Sequence, residues 1–85
     1  MITLDDVQQA AGRITPYVRK TPLLTARCLK DSPLPDGNLL VKLECLQATG
    51  SFKARGAANK LLSLSEAEIR RGIVTASGGN HGLAV

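Results

Sequence analysis

Leu39-Leu40-Val41-Lys42-Leu43-Glu44, followed by Thr49-Gly50-Ser51 and then Phe52 to Leu62, is the stretch on which the fold turns. The first six residues are apolar and β-prone, which predicts a short strand. Thr49-Gly50-Ser51 predicts a turn, with Ser51 as the helix N-cap because its hydroxyl can take up an unsatisfied backbone N–H. A helix is expected from Phe52 to about Leu62, with Ala57, Ala58, Leu61 and Leu62 on its inner face.

Downstream, Ser65 and Glu68 form a capping box for a short helix that stops at Gly72. Ile73-Val74-Thr75-Ala76 predicts a second strand. It runs into Ser77-Gly78-Gly79-Asn80-His81-Gly82, a tight turn expected to open a helix at Leu83. Upstream, Thr3 and Asp6 resemble a capping box with Asp in place of Glu. Leu4, Val7, Ala11 and Ile14 then mark one face of a helix from about Thr3 to Ile14, ended by Pro16. Thr21-Pro22-Leu23-Leu24 is expected to be extended, since a residue before proline is pushed out of the α region. Pro33, Pro35 and Asp36-Gly37 place a loop between residues 31 and 38. Strands alternating with helices predict an α/β unit with parallel strands, incomplete and flanked by helices.

At 85 residues the chain fits one small domain at most, and a unit of that size buries only about 60–65% of the surface its unfolded chain exposes. The sequence reaches Val85 with its last helix only begun, and one turn of helix is not stable alone. Residues 1–85 are therefore expected to be the N-terminal fragment of a longer catalytic region, with no complete domain boundary inside them. Net charge is +4, from 11 Lys and Arg against 7 Asp and Glu. The cations are scattered rather than gathered in a basic arm, and Tyr17 and Phe52 are the only aromatics, which argues against nucleic-acid binding. An anionic small-molecule ligand would suit the same balance. Cys28 and Cys45 form neither a zinc pattern nor a disulfide framework. The acidic N-terminus lacks a secretory leader, and no apolar run approaches a membrane span, so a cytoplasmic protein is expected.

Two segments carry chemistry, and each is read where a strand gives way to a helix, the place where open α/β sheets bind ligands. Lys53 falls at the second helical position, where the positive end of the helix dipole disfavours a further cation. Burial would add to that, and a neutral amine is what imine formation with an aldehyde requires. From position alone a solvated surface lysine is the plainer reading. In Ser77 to Gly82, three glycines let backbone N–H groups approach an anion closely, although a plain tight turn is equally simple. The segment is neither a GxxxxGK[ST] nor a GxGxxG loop. His81 lacks partner ligands, so no metal site is expected.

Together the two segments resemble the fold-type II, tryptophan synthase β-like, pyridoxal-phosphate (PLP) enzymes. That family includes the threonine and serine dehydratases, serine racemase and cysteine synthase. Lys42 to Ala57, with Glu44, Gln47 and Thr49-Gly50-Ser51-Phe52-Lys53-Ala54-Arg55-Gly56, is very similar to the cofactor-lysine motif of the dehydratase branch. The spacing to Ser77 through Gly82 fits, and the leading helix and Lys20-Thr21-Pro22-Leu23 are also typical. The resemblance implies that Lys53 bonds covalently to PLP and later removes the substrate α-proton. It implies that Phe52 packs near the cofactor ring and that Asn80 hydrogen-bonds the cofactor 3-hydroxyl. Ser77, Gly78, Gly79, Asn80 and His81 would hold the substrate carboxylate, with Ser51 close by.

Cys45 and Ala48 depart from an Asn and a Pro often seen there. Gly78 stands where the racemase branch commonly has a serine acting as a second acid–base group. The resemblance thus implies elimination of water from L-threonine or L-serine, giving a 2-oxo acid and ammonia, by an enzyme that is a dimer or higher homo-oligomer. A racemase or a β-replacement enzyme is the alternative within the cofactor class, with Gln47 and residues 52–56 speaking against the sulfhydrylases. A non-catalytic remnant or interaction module is the alternative outside it. The family's phosphate cradle and the residue facing the pyridine nitrogen lie beyond these motifs, so this segment alone is expected neither to hold PLP tightly nor to turn over substrate.

Overall fold

The computed structural model describes residues 1–27, 31 and 33–85, in the order α1 (Leu4–Ile14), β1 (Leu23–Thr25), β2 (Leu40–Lys42), α2 (Lys53–Leu62), α3 (Glu66–Arg71) and α4 (Asn80–Ala84). Two 3₁₀ turns, Glu44–Leu46 and Ala48–Gly50, lie between β2 and α2. Cys28, one of the two cysteines weighed above, lies outside the described residues, as does part of the proline-bearing loop.

Local signals set the helices. Thr3 caps α1 with its hydroxyl on the Asp6 N–H, while the Asp6 carboxylate accepts the Thr3 N–H at 2.8 Å. Ser65 and Glu68 cap α3 in the same reciprocal way, and Gly72 ends it at φ 82°, a conformation that costs glycine little. Ser51 is extended (φ −149°, ψ 168°), and its hydroxyl accepts the Lys53 N–H at 3.3 Å. Phe52 is already helical in φ and ψ. Ser51 therefore does the capping, and the ordered helix begins one residue beyond the sequence-based boundary.

Two expectations need correction. The sheet is antiparallel: Leu23 pairs with Lys42, Leu24 with Val41 and Thr25 with Leu40. The expected parallel partner, residues 73–76, forms no strand, because no described strand lies beside it to complete a ladder. Backbone bonds from Leu43 to Pro22 and from Ala26 to Leu39 prolong the β1–β2 ribbon by a pair at each end. The mixed helix and strand class stands. The last helix starts at Asn80, not Leu83: Gly79 takes the cap position, and its carbonyl accepts the Leu83 N–H at 3.3 Å.

The apolar core among the described residues is Ile14, Ala54 and Ala57, formed where α1 packs on α2, with α4 also packed on α2. Arg13 on α1 donates to the Asn59 side chain on α2 at 2.5 Å. Leu4 and Val7 of the expected α1 inner face are exposed, as are Ile73 and Val74. The Cα radius of gyration is 16.5 Å, well above the roughly 12 Å of a closed domain of this length. These elements share a thin seam rather than a closed core.

Candidate functional site

The turn that delivers Lys53 is built by side chains. Gln47 is 3% exposed, and its amide is fully used. The oxygen accepts the Arg19 N–H at 2.7 Å and the Ala48 N–H at 2.8 Å; the nitrogen donates to the Arg19 carbonyl at 2.9 Å. Gln47 thus pairs with Arg19 much as a neighbouring strand would. Gly50 N–H then closes the turn on the Gln47 carbonyl at 2.8 Å. Thr49 (φ 65°) and Gly50 (φ 83°) both take left-handed backbone, which is uncommon for a β-branched residue and marks stored strain.

Glu44 is the second anchor. Its carboxylate is paired with the Arg55 guanidinium through Nε and, at 3.1 Å, through Nη2. It also accepts the Thr21 hydroxyl at 2.6 Å and the Gln47 amide at 3.4 Å. Hydrogen bonds from Arg55, and then from Thr21, hold the Glu44 carboxyl at about 2, against the opposing effect of burial. The same pair raises the Arg55 guanidinium above its ordinary value. Lys42 donates to the Thr21 carbonyl at 3.0 Å. The segment Arg19–Thr21 is thereby bonded to Lys42, Glu44, Gln47 and Arg55 at once.

Lys53 itself is exposed, so the burial expected of it is not found among the described residues. Among the described residues its Nζ has no hydrogen-bond or ion-pair partner; it lies 5.6 Å from the Phe52 ring centroid, within cation–π range. Both side chains line a cleft of about 680 Å³ between α2, α3, residues 72–75 and α4. His81 lines the same cleft, as do Lys60, Arg71 and Glu68.

The other expected site residues do not share that wall. Ser51 is buried, with its hydroxyl on the start of α2. Ser77, Gly78, Gly79 and Asn80 are exposed at the entry to α4. The Gly79 N–H is taken by the Ser77 hydroxyl at 3.1 Å, whereas Asn80 and His81 begin the helix with N–H groups that the helix cannot satisfy. Apart from its chain neighbours, a Cβ at Gly78 or Gly79 would meet no atom of the described residues within 4 Å. Room beside the turn is therefore open to a ligand. Among the described residues no cluster of three or more His, Cys, Asp or Glu could hold a metal ion, and no helix is long and apolar enough to cross a membrane.

Sequence reasoning missed the Glu44–Arg55–Gln47–Thr21 network as a unit. Its members were legible as parts of a motif, but nothing in a one-dimensional pattern brings residue 21 to residue 44. It also missed Ala54 as a core residue.

The family model for pyridoxal-phosphate dependent enzymes matches residues 14–85. A serine racemase from Dictyostelium discoideum is 48% identical over 84 residues, covering 99% of this chain and 25% of its own length. A catabolic L-threonine dehydratase from Staphylococcus aureus is 42% identical over 85 residues, covering 100% of this chain and 24% of its own. The solved structure of maize serine racemase superposes with a TM-score of 0.74 at 36% identity, over 95% of this chain and 25% of that one. The chain thus spans about a quarter of the length of these relatives.

Proposed function

Because the chain belongs to the pyridoxal-phosphate dependent enzyme family, we propose that the complete protein dehydrates and deaminates L-threonine or L-serine to a 2-oxo acid and ammonia, with Lys53 as its cofactor lysine. The observation that carries the proposal is the Lys53 amine, standing on a cleft wall without an ionic or hydrogen-bonding partner among the described residues. A primary amine bonds to an aldehyde through its uncharged form, which an ion pair disfavours.

Lys53 and Phe52, together on the cleft wall, suit the cofactor, while Asn80 stands off that wall at the entry to α4. Lys53 would hold it covalently, Phe52 would lie against its ring, and Asn80 would bond its 3-hydroxyl. When bound, PLP supplies an electron sink for the carbanion left at the substrate Cα. Lys53 would accept the Cα proton. The loop of residues 77–81 would meet the substrate carboxylate through backbone N–H groups other than that of Gly79, which the Ser77 hydroxyl holds, with Ser51 positioning the lysine from behind. A small amino-acid substrate, a cytoplasmic location and a homo-oligomeric enzyme belong to the same proposal.

Racemisation is a second reading, supported by the identity to serine racemases from Dictyostelium discoideum and maize. Gly78 weighs against it, since glycine offers no side chain to work as a second acid–base group. The test is direct. One portion of the complete, cofactor-loaded protein is reduced with borohydride and its peptides mapped; a separate, unreduced portion is assayed with L-serine and L-threonine for 2-oxo acid and for the D-enantiomer. Label on Lys53 together with 2-oxo acid is the expected result. Label elsewhere removes Lys53 from its role, and D-serine as the main product selects the second reading.

A further inference from the structure

Lys53 makes no hydrogen bond of its own through its side chain among the described residues, so its aim is set by the backbone that carries it. That backbone is bounded by glycines: Gly50 at φ 83° on one side and Gly56, with open space around its Cα, on the other. Between them, hydrogen bonds tie the segment down at Ser51, whose hydroxyl takes the Lys53 N–H, and at Arg55, which is paired with Glu44. Ala54 packs into the seam below, but a methyl group sets depth far better than rotation.

Glu44 reaches Arg55 from the far side of the left-handed turn, and it is itself fixed by Thr21 and Gln47. Arg55 also reaches back to the Arg19 carbonyl at 3.5 Å. The guanidinium and carboxylate are planar groups bonded at more than one point, which fixes orientation as well as distance. We propose that the Glu44–Arg55 pair is the positioning device for Lys53, locking the rotation of the first turn of α2 so that the amine is presented to the cleft. The inference rests on the assignment of Lys53 made above. Neither residue lines the cleft, so both act through the backbone.

The experiment uses the complete protein freed of cofactor, to which PLP is added while covalent attachment is followed by absorbance and by borohydride trapping. Glu44→Gln and Arg55→Gln should each slow attachment about tenfold and lower kcat by a similar factor, with KM within about twofold. Because the two act as one unit, the double variant should again be about tenfold slower, not a hundredfold. Ile14→Ala, which loosens the seam under Ala54 but leaves the ion pair intact, should lower thermal stability yet leave attachment within about twofold. Amide exchange at residues 53–57 of the cofactor-free protein should rise about tenfold in Glu44→Gln and in Arg55→Gln, and not in Ile14→Ala. Should that variant fail to fold, Thr21→Val removes one bond to the carboxylate and should slow attachment about two- to threefold. Trapping at Lys53 that is unchanged in Glu44→Gln, additive effects in the double variant, or equal slowing by Ile14→Ala each overturn the positioning role alone. Label absent from Lys53 in the unaltered protein overturns the parent assignment and this one with it.

Discussion

The turn at residues 47–51 and the turn at residues 77–81 both lead into a helix and both contain glycine, yet they are held in different ways. The first is pinned from outside by Arg19 on Gln47, and through Glu44, which takes Thr21, Arg55 and the Gln47 amide, with Gln47 and Ser51 buried and two residues forced into left-handed backbone. The second is exposed and, among the described residues, is held by local bonds, from the Gly79 N–H to the Ser77 hydroxyl and from the Leu83 N–H to the Gly79 carbonyl. The contrast suits the two tasks assigned to them. A residue that bonds covalently must be aimed, and an anion loop needs free N–H groups and space.

The comparison can be broken most forcefully at Gln47. Gln47→Ala removes three hydrogen bonds to the Arg19 and Ala48 backbone and, at about 1 kcal/mol each, should cost about 3 kcal/mol in urea unfolding of the complete protein. A loss under about 1 kcal/mol would show that the pairing with Arg19 does not hold the turn. Next in size is Gly50→Ala, which forces a Cβ into left-handed backbone and should cost about 1–2 kcal/mol by the same measurement. Gly78→Ala has neither a positive φ nor a neighbour to meet. It should leave stability within about 0.5 kcal/mol, while a loss of turnover would mark the open space as ligand space.

Acid sharpens the same contrast. The Glu44 carboxyl is lowered from 4.5 to about 2 in the folded chain. Its contribution is therefore complete above about 4.5, the unfolded value, and is lost as pH falls from there toward about 2. Stability measured across that window should fall more steeply in the unaltered protein than in Glu44→Gln. Equal slopes would mean that the carboxylate is not held by Arg55 and Thr21.

The helices were legible because their signals are local. Thr3 with Asp6, Ser65 with Glu68, and Gly72 each act within one turn of chain, so spacing alone identifies them. The Lys53 segment was legible for a similar reason, being a contiguous motif. The β1–β2 pairing was not, since both strands are short and exposed on their described faces and carry no alternation to mark a register. Residues 73–76 look like a strand by composition, but a strand exists only with a neighbour to bond.

By itself, then, the sequence determined where the capped helices lie and which lysine stands at the head of one, because both follow from bonds between near neighbours. Tertiary structure alone decided how that lysine is held. Bonds from Arg19 and Thr21 to Gln47 and Glu44 span more than twenty positions, and no pattern along the chain encodes a contact that only folding brings within reach.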